Sequence, residues 1–340
     1  MTRWSPTRAI LTIALSLAAW LIVAVACTLV GSSGVIGWPT EQFIAIARRE
    51  RVLLASLVGA ALASAGVVYQ AILRNPLADP YLLGASTGAS LSAYLWQCSF
   101  TTTLLASATA QVLSQQTAAF VGACVSVAIV LVLASSRGRL EPITLLLVGV
   151  IVNAVNASVF LLVNSLSREM PGSGGPLAFL VGGINPNLTP QQFRAAAALV
   201  AAALVAMLYL SGQLNVAALG ESESQSLGVH IQRLRWVALI IGSLITAAAV
   251  SVSGPIGFIG LVCPHLGRLI VGGDTRRLLP VATAIGAALL CLADAATRLL
   301  AAQPSVGTAL PVGVLTSMLG GPFFLLLLWR NRRRVNLGGG

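Results

Sequence analysis

Apolar residues in this chain do not alternate with polar ones; they run in blocks. Ten blocks stand near residues 9–30, 52–73, 82–97, 117–135, 143–164, 193–211, 236–253, 256–271, 278–296 and 310–329. A helix rises 1.5 Å per residue, so about 20 apolar residues cross the ~30 Å hydrocarbon core of a bilayer. Inside that core every backbone polar group needs a partner within its own segment, and a helix supplies one. The pattern predicts an all-α polytopic membrane protein of about ten transmembrane helices, a single domain over residues 1–340. The blocks at 82–97 and 256–271 are short, Gly-rich and flanked by Pro. Such helices survive in a bilayer only when packed inside protein or lining a cavity. The first block follows Arg3 and Arg8 and ends near Ala26-Cys27. It is longer than a signal-peptide core and is read as a retained first helix.

Composition agrees. The chain is 57% hydrophobic and 9% charged, where a soluble domain carries about 25% charged residues. Its mean hydropathy is +0.91. All 20 basic residues are Arg, and the net charge is +11. They are scattered between apolar runs, which argues for topology determinants and against nucleic-acid binding. With the N-terminus inside, fourteen fall on the inner side and six on the outer, at Arg48, Arg49, Arg51, Arg168, Arg194 and Arg298. The positive-inside bias then places both termini in the cytoplasm. A P-loop needs a Lys, and this chain has none, so an ATP-driven role requires a partner chain. The five cysteines form no Cys-x-x-Cys pair, and no metal site or cofactor is expected.

Four polar interruptions carry the chemistry. The first follows the second apolar block: Arg74-Asn75-Pro76-Leu-Ala-Asp79-Pro80-Tyr81. The second, within about 212–235, reads Gly220-Glu221-Ser222-Glu223-Ser224-Gln-Ser-Leu227-Gly228. Two glycines bracket a short helix whose first turn is acidic, as the helix dipole favours. The third is Gly254-Pro-Ile-Gly-Phe-Ile-Gly-Leu, then Pro264-His265-Leu-Gly-Arg268 and Gly273-Asp274-Thr275-Arg276. The fourth is Ala293-Asp294 with Arg298, then Leu310-Pro311-Val-Gly313. Asp294 and Arg298 are four apart and can pair on one helix face. Asn153, Asn156 and Asn164 in the fifth block either line a pathway or bond neighbouring helices.

In this order the four motifs resemble the FecCD family, permease subunits of bacterial ABC importers for iron–siderophore complexes, haem and cobalamin. The resemblance spans roughly residues 45–328. It implies a type II ABC importer permease fold in the bacterial inner membrane, with substrate moved by ATP hydrolysed on a separate subunit. It implies a homodimer, two ATP-binding subunits on the cytoplasmic side and a periplasmic or lipid-anchored substrate-binding protein. Gly220 to Gly228 would form the coupling segment that docks on the ATPase, and Arg74 to Pro80 a cytoplasmic motif loop. Arg48, Arg51 and Arg298 would dock the binding protein. Three positions depart from the family pattern: Glu50 replaces Pro, Thr275 replaces His, and Ala309 replaces Glu.

Other classes fit less well. Gly84-Ala-Ser86-Thr-Gly88 matches the nucleophile pattern G-x-S-x-G, but no strand–turn–helix context or His–acid pair accompanies it. Gly31-Ser-Ser-Gly34 resembles intramembrane serine proteases on two residue types alone. A self-contained secondary transporter needs ionisable groups deep in its helices, and the candidates, such as Asp294, sit near helix ends.

Overall fold

The computed structural model describes residues 6–31, 36–39, 41–97, 114–136, 138–166, 181–184, 188–303 and 310–337. Cys98, Arg168, Ala309 and the Ser32-Ser33-Gly34 run lie outside the described residues, as do the side chains of Arg330 to Arg334.

Ten long helices correspond to the ten apolar blocks: α1 (Pro6–Leu29), α2 (Gln42–Ile72), α3 (Ala85–Gln97), α4 (Gln115–Leu133), α5 (Pro142–Leu166), α6 (Pro190–Ala217), α8 (Ile231–Ser253), α9 (Ile259–Val271), α10 (Thr275–Ala301) and α11 (Val312–Leu337). The described residues also hold a six-residue helix, α7 (Glu221–Ser226), a 3₁₀ turn over Pro80–Leu83, and a hairpin pairing Ser135-Ser136 with Arg139-Leu140. Among the described residues, seven helices are long and apolar enough to cross a membrane. The α3 and α9 helices have 13 residues each, about 20 Å, well short of the hydrocarbon core.

The α2 helix is the axis of the bundle, buried along most of its length. It meets α10 where Gly59 faces Gly286, each leaving no room for a Cβ against the other's backbone, and α9 where a Cβ on Gly66 would overlap the backbone of Gly260. Lipid gives helices no hydrophobic reason to associate, so close backbone approach supplies the packing energy. At the α9 crossing there is also a polar lock. Pro264 has no N–H, which frees the carbonyl of Gly260 one turn back. Gln70 Nε2 donates to that carbonyl at 3.3 Å, while its Oε1 accepts from Arg268.

One boundary differs from the hydropathy pattern. The helix α2 begins at Gln42, ten residues before the apolar block at 52. Arg48, Arg49 and Arg51 interrupt the apolar run without breaking the helix, because Arg is a good helix former and Arg48 and Arg51 have partners across the bundle.

The two short helices start inside the bundle, each after an irregular turn. Asp79 Oδ1 accepts from the N–H of Tyr81 at 2.8 Å and caps the 3₁₀ turn, which Gly84 ends at φ 83°. Residues 254–258 form the other turn, closed by Phe258 at φ 68°. The turns touch: the Tyr81 hydroxyl accepts from the N–H of Ile256 at 2.9 Å, and Pro80 packs on Gly260. Backbone at membrane depth is tolerated here because protein encloses it.

Candidate functional site

The sequence motifs gather at the two ends of the bundle. At one end, Arg74 follows α2 in the left-handed region, φ 49°. Its guanidinium grips the carbonyl of Ala217 through Nε at 2.9 Å and a terminal nitrogen at 2.7 Å. Ala217 ends α6, where carbonyls lack helical partners and the dipole is negative, so a cation fits there. Asn75 accepts from Leu77 N at 2.9 Å and folds the turn, leaving Pro76 exposed. Asn215, near the end of α6, donates to Asp274 at 2.6 Å and accepts from Thr275 N at 2.7 Å, so the buried Thr275 sits in this joint.

The segment from Gly220 to Gly228 stands at this end. Any Cβ on Gly220 would collide with the Glu223 carboxylate, and Gly228 ends α7 at φ 76°. Hydrogen bonds from its own N–H and from Ser222 hold the Glu223 carboxyl below the usual range. Ser224 is fully buried and donates to the carbonyls of Val216, at 2.8 Å, and Gly220. Glu221 lies 3.8 Å from Arg235, which also donates to the Leu140 carbonyl of the hairpin. So α7 is tied from behind to α6 and α8. Its other side exposes Glu221, Ser222 and Glu223, with Leu219 and Leu227, 56% and 61% exposed, at its flanks.

At the opposite end the three arginines singled out by sequence converge. Arg51 Nε donates to both Asp294 oxygens, at 2.9 and 3.0 Å. Arg298 Nε lies 3.1 Å from the same carboxylate. Arg298 also donates to the carbonyls of Val30 and of Cys27, the latter at 3.1 Å, and Arg48 to those of Thr28, Leu29 and Gly37 at 3.3, 3.2 and 2.9 Å. The C-terminal carbonyls of α1 are thus capped by cations from α2 and α10. Asp294 is fully buried and Arg298 only 4% exposed, whereas the Arg51 side chain keeps 25% of its surface. Arg49, Glu50 and Arg194 are exposed charges here, with Glu41 at the start of α2. Sequence reasoning paired Asp294 with Arg298 alone; nothing local pointed to Arg51, 243 positions away.

Between the ends, Asn153 donates to the carbonyls of Tyr81 and Leu82 at 3.2 and 3.4 Å and accepts from Thr87 at 2.7 Å. Asn156 donates to Thr87 and Ser126 at 3.1 and 2.8 Å. Both amides fasten α5 to α3 and α4. In the Gly84–Gly88 stretch, small residues let α3 press on Ser126 and Gly122 of α4.

Residues 9–330 match the FecCD transport family. The chain is 37% identical over 290 residues to the cobalamin import system permease BtuC of Halobacterium salinarum, covering 85% of this chain and 73% of that protein. It is 38% identical over 293 residues to the hemin transport system permease HmuU of Yersinia pestis, covering 84% and 83%. A metal-chelate type ABC transporter solved in an inward-facing conformation superposes with a TM-score of 0.79 at 26% identity, over 94% of this chain and 99% of that one. With ten apolar helices described in this arrangement and both ends built from the motifs above, the chain belongs to the FecCD transport family.

Proposed function

We propose that this chain is the membrane-spanning permease of a binding-protein-dependent ABC importer. It carries an iron–siderophore, haem or cobalamin-type substrate across the bacterial inner membrane. Relatives named for cobalamin and hemin support that substrate class. In the working assembly two copies enclose the pathway, two ATP-binding subunits dock at the α7 end in the cytoplasm, and a substrate-binding protein docks at the Asp294 end. Both termini then lie in the cytoplasm. The observation that carries the reading is α7: a helix too short to fold alone, anchored from behind and exposing leucines and carboxylates outward. Of the three arginines expected to meet the binding protein, Arg51 and Arg48 are partly exposed, and the buried Arg298 acts through the Asp294 carboxylate that it shares with Arg51. Asn153 and Asn156 border the pathway by holding α5, whose exposed face would line it. A secondary transporter would need an ionisable group free to exchange its partners, and Asp294 is held between two guanidiniums.

Reconstitution tests the reading. The chain alone should hydrolyse no ATP, and the complex with its ATP-binding subunit should. Leu219→Glu with Leu227→Glu should abolish association with that subunit while the chain stays monodisperse. ATP hydrolysis by the isolated chain, or substrate uptake without the ATP-binding subunit, would overturn it.

A further inference from the structure

A cavity of about 390 Å³ opens between α1, α2, α6 and α10, walled by Leu17, Trp20, Leu53, Phe193, Leu208 and Leu279 among others. Leu17, Leu53 and Leu208 are exposed, so the cleft faces the bilayer. Its only hydroxyls are spoken for: Ser56 donates to Val52 O at 2.8 Å and accepts from Trp20 Nε1 at 3.0 Å, and Thr283 donates to Leu279 O at 2.7 Å. A cleft that presents no free polar group suits a hydrocarbon chain and not a hydrophilic cargo. From Phe193 to Leu208 it follows α6 for about 22 Å, more than the half-thickness of the hydrocarbon core that one acyl chain fills.

At the Asp294 end of the bundle this cleft runs into a smaller depression of about 170 Å³. The two share Leu53 and Phe193. Arg49, Glu50 and Arg194 rim the smaller one, and all three are exposed. Arg194 spends one donor, Nε, on Pro190 O at 3.1 Å. Two guanidiniums against one carboxylate leave a net positive mouth above an apolar cleft, and guanidinium forks match phosphate oxygens. We propose that the cleft is a binding site for one anionic phospholipid, its acyl chain between α1, α2, α6 and α10 and its phosphate at Arg49 and Arg194. The site lies on the flank of the bundle, and the lipid there braces α1 against α2 and α6.

Trp20 reports on it. A variant keeping Trp20 and replacing the other five tryptophans by Phe is reconstituted in dioleoylphosphatidylcholine vesicles. A rising fraction of that lipid is exchanged for its dibrominated form, or for dibrominated phosphatidylglycerol, and bromine quenching of Trp20 is read. A basic side chain near the surface shifts anionic-lipid binding about fivefold, and Glu50 cancels one of the two. Phosphatidylglycerol should therefore quench half-maximally at about a fivefold lower fraction than phosphatidylcholine. Arg49→Gln with Arg194→Gln should abolish that preference, and Ala60→Phe, which fills the cleft, should weaken quenching by both lipids. Coincident curves for the two lipids in the parent would overturn the headgroup site. Absence of quenching by either would mean that protein, whether this chain or a second copy, closes the cleft, and would overturn the proposal altogether. Should the single-tryptophan chain fold poorly, native mass spectrometry of the full-tryptophan chain must find one retained phosphatidylglycerol, lost in Arg49→Gln/Arg194→Gln.

Discussion

Replacing Asp294 by Asn removes one negative charge from the Asp294 end of the bundle and almost no volume. The carboxylate is fully buried and receives Arg51 Nε at 2.9 Å and Arg298 Nε at 3.1 Å. Breaking a buried ion pair by removing one partner costs about 3–5 kcal/mol, because the other charge stays buried and uncompensated. Two features set where in that range the variant falls. Arg298 keeps the carbonyls of Val30 and Cys27, which accept part of its charge. Arg51 is a quarter exposed, so water screens its share, and its loss is worth closer to ~1 kcal/mol. We expect Asp294→Asn to destabilise by about 3 kcal/mol and Arg51→Met by about 1 kcal/mol. Adding Arg298→Met to Asp294→Asn should recover part of the loss, since the orphaned charge is then gone. The assay is thermal unfolding in detergent, followed by fluorescence-detected size exclusion. A melting temperature for Asp294→Asn indistinguishable from the parent would refute the reasoning, as would a double variant no better than Asp294→Asn alone. Arg298→Glu, which sets a second carboxylate against the buried Asp294, should lose its fold before any partner is lost.

Three further outcomes are expected. Gly66→Ala drives a Cβ into the Gly260 carbonyl and should cost about 3 kcal/mol or more of stability, while Gly183→Ala, with nothing within 4 Å, should melt like the parent. Arg74→Ala should weaken the α2–α6 joint at Ala217 and lower recovery of the complex with the ATP-binding subunit; Arg74→Gly, relieved of the left-handed strain of about 1 kcal/mol, should melt higher than Arg74→Ala yet assemble no better. In a Cys-free background, Ser222→Cys should react with an impermeant thiol reagent only from the cytoplasmic side, whereas Ser224→Cys, buried under α7, should react from neither; labelling of Ser222→Cys in intact cells would reverse the proposed topology.

The sequence by itself determined the order and rough length of the described helices. That information is local: a helix in lipid satisfies its own backbone, so apolar run length alone announces it. It also determined that residues 220–228 form a short Gly-bounded helix, because Gly220 and Gly228 are needed where a side chain would collide or a positive φ is required. The ten-residue extension of α2 toward Gln42 escaped hydropathy, since charged residues end an apolar window without ending a helix. Only the tertiary structure decided what the polar residues meet. Asp294 is shared by two arginines, Gln70 takes the carbonyl that Pro264 frees, Tyr81 reaches Ile256, and the asparagines of α5 turn toward α3 and α4. Each of these partners is far along the chain, and contact depends on where small residues let the helices cross. Helix formation depends on neighbours a turn away, whereas a buried polar pair depends on the placement of two whole helices, which no single segment encodes.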